Sequence, residues 1–332
     1  MADNFAMSFA CPNFSGLLFR KGVSTTPLST LISGKAYYTD HVEFATGQQY
    51  SIAEGTQPAI SEKASLTAPD ATFVKRTQDT NVTQIFQYTF GVSDAKRSNM
   101  GTLSGINAAN QTANPIDEVT FQATAAMQKA AQDIEYTFVN GTKQKASNDD
   151  TANKTCGIVN AITSNTIDAS SAELNYWLLV EAAKKVNDNG GDSYNLVTLL
   201  NGNQMLQVQK NAIENGLQVL TSGETQNGIN ITKIITPYGD IRLALGRYIP
   251  EGTAILINPT VMAPVYQNVP GKGNFYLEEL AKTGAGTRYM IFGQAGLDYG
   301  PEWYHAKITG LKTTFEAPAN GILTREAAAA AG

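Results

Sequence analysis

The chain has 332 residues, 42% hydrophobic and 16% charged, with a formal net charge of −5. Soluble domains carry about a quarter charged residues; here Thr, Asn, Ser, Gly and Ala take their place, which suits burial against other subunits and equally an exported β-protein. Lys and Arg are scattered, densest at Arg20-Lys21, Lys75-Arg76 and Lys184-Lys185, which excludes the clustered cationic face of tight nucleic-acid binding, and the two distant cysteines, Cys11 and Cys156, exclude a disulfide framework.

Residues 1–41 alternate Phe, Leu, Pro, Ser and Gly without sustained periodicity. An aperiodic apolar arm cannot bury itself, so it must lie along a partner subunit or along the chain's own body. One short helix is expected behind Pro27, within residues 25–32. The start, Met1-Ala2-Asp3-Asn4-Phe5, lacks the basic segment and apolar run of an export leader. No stretch approaches the apolar length of a membrane span. The expectation is a protein made and kept in a reducing cytoplasm.

From Val42 to Lys96 the pattern becomes β. Val42-Glu43-Phe44 with Tyr50-Ser51-Ile52 marks a first extended run, Thr72-Phe73-Val74 a short one, and residues 83–92 a long one. In the long run Gln84, Phe86, Tyr88, Phe90 and Val92 share one face, opposite Thr83, Ile85, Gln87, Thr89 and Gly91. Small and turn residues from Gly55 to Asp70 form the tip of this excursion.

The clearest helix follows. Asn114 caps it, Pro115 takes the first position, and Asp117 and Glu118 suit its positive end. Apolar residues recur at Ile116, Val119, Ala123, Met127, Ala130, Ile134 and Phe138, and Asn140-Gly141 stops it. The length is roughly 24 residues, or about 36 Å. A polar loop over 142–155 precedes an expected strand, Gly157–Ile162. Ser170-Ser171-Ala172-Glu173 has the form of a capping box, opening a helix through Leu174, Trp177, Leu178 and Val186 that ends at Asn189-Gly190-Gly191. Beyond it the pattern predicts a strand at Leu196–Leu200 and a helix from Gly202 to Glu214 capped by Asn201. Paired strands at Ile229–Ile235 and Ile241–Leu245 flank the turn Pro237-Tyr238-Gly239-Asp240. Further strands are expected at Ala254–Ile257, Tyr289–Phe292 and Ala306–Thr309. The sum is α+β, trailing into the low-complexity run Ala327–Gly332.

The sequence offers no catalytic constellation. His41 and His305 stand far apart and read as structural or surface residues. Gly-x-Ser-x-Gly, the phosphate loop and Gly-x-Gly-x-x-Gly are missing. Asn187–Asp192 resembles a calcium loop only briefly: its donors lack the alternating order and no Glu closes it, so a helix stop is the simpler reading. Catalytic, cofactor and metal sites are all expected to be absent.

Three stretches in order carry a family resemblance. They are Asn81–Gln87 followed by Val92-Ser93; Ala131–Tyr136 running into Asn140-Gly141; and Leu277–Gly284 with Gly296-Leu297 and Trp303–Leu311. Together they resemble the major capsid proteins of tailed bacteriophages, whose shell fold also occurs in herpesviruses and encapsulins. The resemblance implies an N-terminal arm (1–41) and an extended β-hairpin loop (42–98). It implies a peripheral domain (99–172 and 270–332) with a spine helix over 115–140, and an axial domain (173–269). It also implies self-association into hexamers and pentamers of an icosahedral head around double-stranded DNA. Portal, scaffold and decoration proteins would be further partners, and the acidic balance keeps DNA contact loose and nonspecific. One departure from the family pattern is expected: no large scaffolding segment before the arm, so that assembly would use a separate scaffold protein or none.

Candidate contacts between subunits on the loop are Phe44, Tyr50, Phe73, Ile85, Phe86, Tyr88 and Phe90, since aromatic rings bury large areas. The alternative is that Phe86, Tyr88 and Phe90 fill their own subunit's core. Spine residues are Ile116, Val119, Met127, Ile134 and Phe138. The alternative function is an encapsulin-like nanocompartment shell; an adhesin would need an export leader.

Overall fold

The computed structural model describes residues 25–95, 118–214, 225–226, 229–230 and 232–316, with strands and helices numbered along the chain. Strand β14 (Gly286–Asp298) is the axis of the first sheet. Along one edge it pairs antiparallel with β4 (Gln84–Ser93). Along the other it pairs with β13 (Phe275–Glu279) and then β12 (Ala263–Gln267), which carries β1 (Tyr37–Thr39) in parallel. The register sets Gly293 between Phe86 and Phe275. The Phe275 ring occupies the space a Cβ on Gly293 would need, so the glycine lets two large rings flank one strand.

The second sheet has six strands in the order β5 (Thr166–Asp168), β15 (Ala306–Thr309), β11 (Ala254–Ile257), β6 (Val197–Leu200), β10 (Gly239–Leu245) and β9 (Thr232–Thr236). Every residue of β6 and β11 is buried. Strands covered on both faces need such unbroken runs, and the alternation divides them. Val197, Leu199, Ile255 and Ile257 join a core with the first sheet, α1 (Pro27–Ile32), α3 (Glu118–Asn140) and α4 (Ile158–Ala161). Leu200, Ala254, Leu256 and Ile308 join a second core with α5 (Tyr176–Asp188) and α6 (Gly202–Glu214).

Away from both cores, β2 (Glu43–Tyr50) and β3 (Arg76–Val82) pair only with each other among the described residues, as a two-stranded ribbon with a short helix, α2 (Glu62–Ser65), at its tip. Their register slips between Thr46 and Gln49. Gly47 sits there at φ +56°, with its missing Cβ 3.1 Å from the Gly300 carbonyl, a place only glycine fills without strain. A minor pair, β7 (Thr225–Gln226) and β8 (Ile229–Asn230), completes the strands.

Several expectations are corrected. Thr72-Phe73-Val74 is not a strand; β3 begins at Arg76, and Phe73 is 89% exposed. Gly157–Ile162 forms the turn of helix α4, whose Ile158 and following Ile162 point into the first core; a short apolar run fits either state. The capping-box serines open no helix: Ser170 and Ser171 have φ of +48° and +67°. Helix α5 starts at Tyr176 instead, with the Asn175 side chain accepting from Leu178 N. Of the strand expected over 229–235, β8 covers Ile229–Asn230 and β9 covers Thr232–Thr236, and residue 231 lies outside the described residues.

Residues 166–168 and 306–309 belong with the second sheet, and Ala263–Gln267 with the first. Asn114, Pro115, Ile116, Asp117, Cys11 and the run from Ala327 to Gly332 lie outside the described residues.

Candidate assembly surfaces

The ribbon is rooted by Asn81, whose side chain is fully buried. Its Nδ2 donates to Leu297 O (2.7 Å) and Cys156 O (3.2 Å), while its Oδ1 accepts from Cys156 N (2.8 Å) and Val82 N (2.9 Å). One amide thus ties β3, β14 and the segment before α4 together, and all its hydrogen-bonding groups are used. Beside it the Phe44 ring lies over Gly296, 2.7 Å from where a Cβ would stand. Thr46 Oγ1 donates to Asp298 Oδ1 at 2.5 Å. Lys145 pairs with Glu43 and holds its carboxyl below the usual value, and Lys143 bonds Thr80.

Beyond this root nothing among the described residues covers the ribbon: every residue from Tyr50 to Asp79 is exposed. The bare side chains include Tyr50, Ile52, Ile60, Leu66 and Phe73, the last two at 84% and 89% exposure. Of the candidate contact residues, Tyr50 and Phe73 are therefore free for a partner. Ile85 is also exposed, but on the sheet rather than the ribbon.

The aromatic face of β4 is a correction. Strand β4 belongs to the first sheet, and the ribbon pairing of β2 with β3 ends at Val82. Phe86 is 4% exposed and lies in its own subunit's core, where it has no surface left for a neighbour. Tyr88 packs against the same core and donates to Asp133 Oδ2 at 2.7 Å; burial, then that carboxylate, push its phenol pKa up. Phe90 stacks on Tyr289 with ring centroids 5.3 Å apart. Phe44 is half-buried in the root.

Helix α3 is covered unevenly. Ala130, Glu135, Phe138 and Val139 are buried, and Ile134 packs against the first core. Val119 is half-buried, whereas Phe121 and Met127 are exposed, Met127 at 53%. Met127 is therefore not a core residue of this subunit.

The described part of the arm, by contrast, lies along its own body. Leu28, Leu31 and Ile32 enter the first core. The buried Glu135 carboxylate accepts from Leu28 N (2.8 Å), Ser29 N (2.7 Å) and Ser29 Oγ (2.5 Å), meeting the free donors at the start of α1. Burial raises this carboxyl's pKa, against the opposing pull of those donors.

His305 joins the two sheets. The ring is fully buried; Nδ1 accepts from Asn258 N (3.1 Å) and Nε2 faces Tyr299 O (2.7 Å). Both contacts are satisfied by a neutral ring carrying its proton on Nε2, and burial pushes the pKa down to about 4. Sequence reasoning missed Asn81, Glu135 and this use of His305. Among the described residues no group of three or more His, Cys, Asp or Glu could hold a metal ion.

A rooted ribbon that the other described residues leave bare thus stands beside a helix, α3, whose Phe121 and Met127 are exposed. The fold is that of shell proteins. It is similar to the cyanophage A-1(L) capsid (TM-score 0.63, 11% identity, covering 92% of this chain and 97% of that one). It is similar also to the SrpI encapsulin of Synechococcus elongatus PCC 7942 (0.61, 11%, 92% and 95%) and to the capsid of Myoviridae phage XM1 (0.53, 11%, 89% and 95%). At such identity these likenesses establish the fold alone, shared by phage capsids and encapsulins. No curated protein sequence matches the chain.

The SU10 major capsid protein family matches residues 1–312, and the chain belongs to it. It is a structural, non-enzymatic major capsid protein that forms the icosahedral head of a tailed phage and resides in the virion capsid.

Proposed function

We propose that the subunits assemble as hexamers and pentamers, each laying its ribbon across a neighbouring copy. In this reading the first sheet with α3 is the peripheral part of the subunit, and α5, α6 and the β9–β10 end of the second sheet form the axial part. The single observation that supports it most is the exposed run from Tyr50 to Asp79 on a fixed root. Exposed Leu66 and Phe73 waste apolar area in a monomer and recover about 4 kcal/mol together once covered, a gain repeated at every subunit of the shell. The double-stranded genome lies inside, held loosely because the protein's net charge is −5. Portal, scaffold and decoration proteins are the further partners this role calls for.

Leu66→Ser with Phe73→Ser tests the ribbon. The variant subunit keeps its thermal midpoint, while closed particles counted by electron microscopy fall at least tenfold, as a loss of about 4 kcal/mol per contact requires. Normal particle yield would remove the ribbon from the assembly interface.

A further inference from the structure

The segment after β15 runs in an extended path between two loops and helix α6. Leu311 N donates to Gly252 O (2.9 Å) and Lys312 N to Ala172 O (3.0 Å), and the Leu311 side chain is buried in the second core. Helix α6 reaches across this path with a row of amides. Asn203 Nδ2 donates to Thr313 O (2.7 Å) and Gln204 Nε2 to Lys312 O (3.2 Å). Gln207 Nε2 donates to both Lys312 O (2.8 Å) and Thr314 O (3.1 Å), while its Oε1 accepts from Leu174 N (3.0 Å). Gln204 and Gln207 are both fully buried. Lys312 adds a charged contact to Glu173 (3.4 Å), which also holds Lys210 of α6 at 3.0 Å.

Over Gly202–Asn211, the stretch of this helix whose side chains are described, the apolar hold is slight. Between Gly202 and Asn211 only Val208 is a buried hydrophobic residue, Met205 is half-buried against the second core, and Leu206 is exposed. Helices in proteins normally owe their stability to an apolar face. The described stretch of this one is held largely by hydrogen bonds to a strand of main chain that lies about 105 residues downstream.

We propose that residues 311–316 act as a strap whose seating fixes α6, so that the axial part becomes competent to close a ring only after the last strand is in place. Helix α6 is synthesised long before its anchor and is loosely held until the strap arrives. Subunits that are still incomplete are thereby kept from associating. The assembly half of this inference rests on the axial reading given above; the seating half does not.

The test uses the full chain carrying Asn203→Ala with Gln207→Ala. Hydrogen exchange on unassembled subunits is read separately in α6 and in the amides of β6 and β11, and particle yield is counted alongside wild type. Losing three donor bonds at roughly fivefold each predicts about a hundredfold faster exchange in α6, unchanged protection in β6 and β11, and a sharp loss of particles. Unchanged exchange in α6, or an equal rise in β6 and β11, overturns the strap. Faster exchange in α6 with full particle yield overturns its control of assembly. Should the double variant not fold, Asn203→Ala alone predicts roughly fivefold faster exchange confined to α6, and no change there overturns the proposal. Absence of particles from the wild-type chain would instead refute the capsid architecture, leaving the exchange result to stand by itself.

Discussion

Asn81→Ala removes the side chain on which the ribbon's root converges. It strips partners from two buried N–H groups, of Val82 and Cys156, and from two buried carbonyls, of Cys156 and Leu297. The side chain is fully buried, so water does not replace the lost bonds without opening the site. At about 1 to 1.5 kcal/mol for each bond the loss is roughly 4 to 6 kcal/mol. That is a large share of the 5 to 15 kcal/mol typical of a folded domain. Unfolding of unassembled subunits in urea, followed by fluorescence of Trp177 and Trp303, reads it directly. With a slope of about 3 kcal/mol per molar, the midpoint falls by roughly 1.3 to 2 M. Gln87→Ala, an exposed change on the same sheet, should move it by less than about 0.2 M. A shift for Asn81→Ala no larger than that of the control would refute the hub reasoning.

Three further outcomes are expected. Phe86→Ala opens a cavity in the first core and costs about 3 to 5 kcal/mol, so it lowers the yield of soluble subunit; thermal melting that matched wild type would contradict its burial. Gly293→Ala drives a methyl into the Phe275 ring and should lower the melting temperature by several degrees, with rescue by Phe275→Leu; equal melting temperatures would show that the ring has room to move. For His305, the folded-state pKa is depressed to about 4 from 6.5. The unfolded chain therefore binds the proton more readily between those values. Stability from this ring is fully present above pH 6.5 and is lost as pH falls towards 4, by roughly 3 kcal/mol in total. His305→Gln should flatten that part of a pH–stability curve, and an unchanged curve would clear His305 of the effect.

Much of the architecture was legible in the residues. The alternation over 83–92 located β4, and the apolar recurrence from Val119 to Phe138 located α3. Period two tells which face of a strand is covered but not which chain covers it, so Phe86 could be placed in an interface that proved to be its own core. Helical periodicity likewise marks Met127 as in line with Phe138 without showing where the body ends. The polar hubs were illegible for a different reason. Asn81 finds a partner 216 residues away and Glu135 one 107 residues away, and no local pattern encodes such meetings. The misread capping box shows tertiary contacts overriding local preference. Ser171 N is taken by the Gly310 carbonyl at 2.6 Å, and Glu173 is recruited by Lys210 and Lys312.

The register slip at Gly47 lies directly outside the root, so everything distal to it contributes almost nothing to the fold of its own subunit. Sequence between Tyr50 and Asp79 is thereby freed from the packing constraint that governs the cores. If the ribbon lies across a neighbouring copy as proposed, substitutions in this one segment change how subunits meet while the body that carries it stays the same, and a foreign peptide grafted there would leave its host folded.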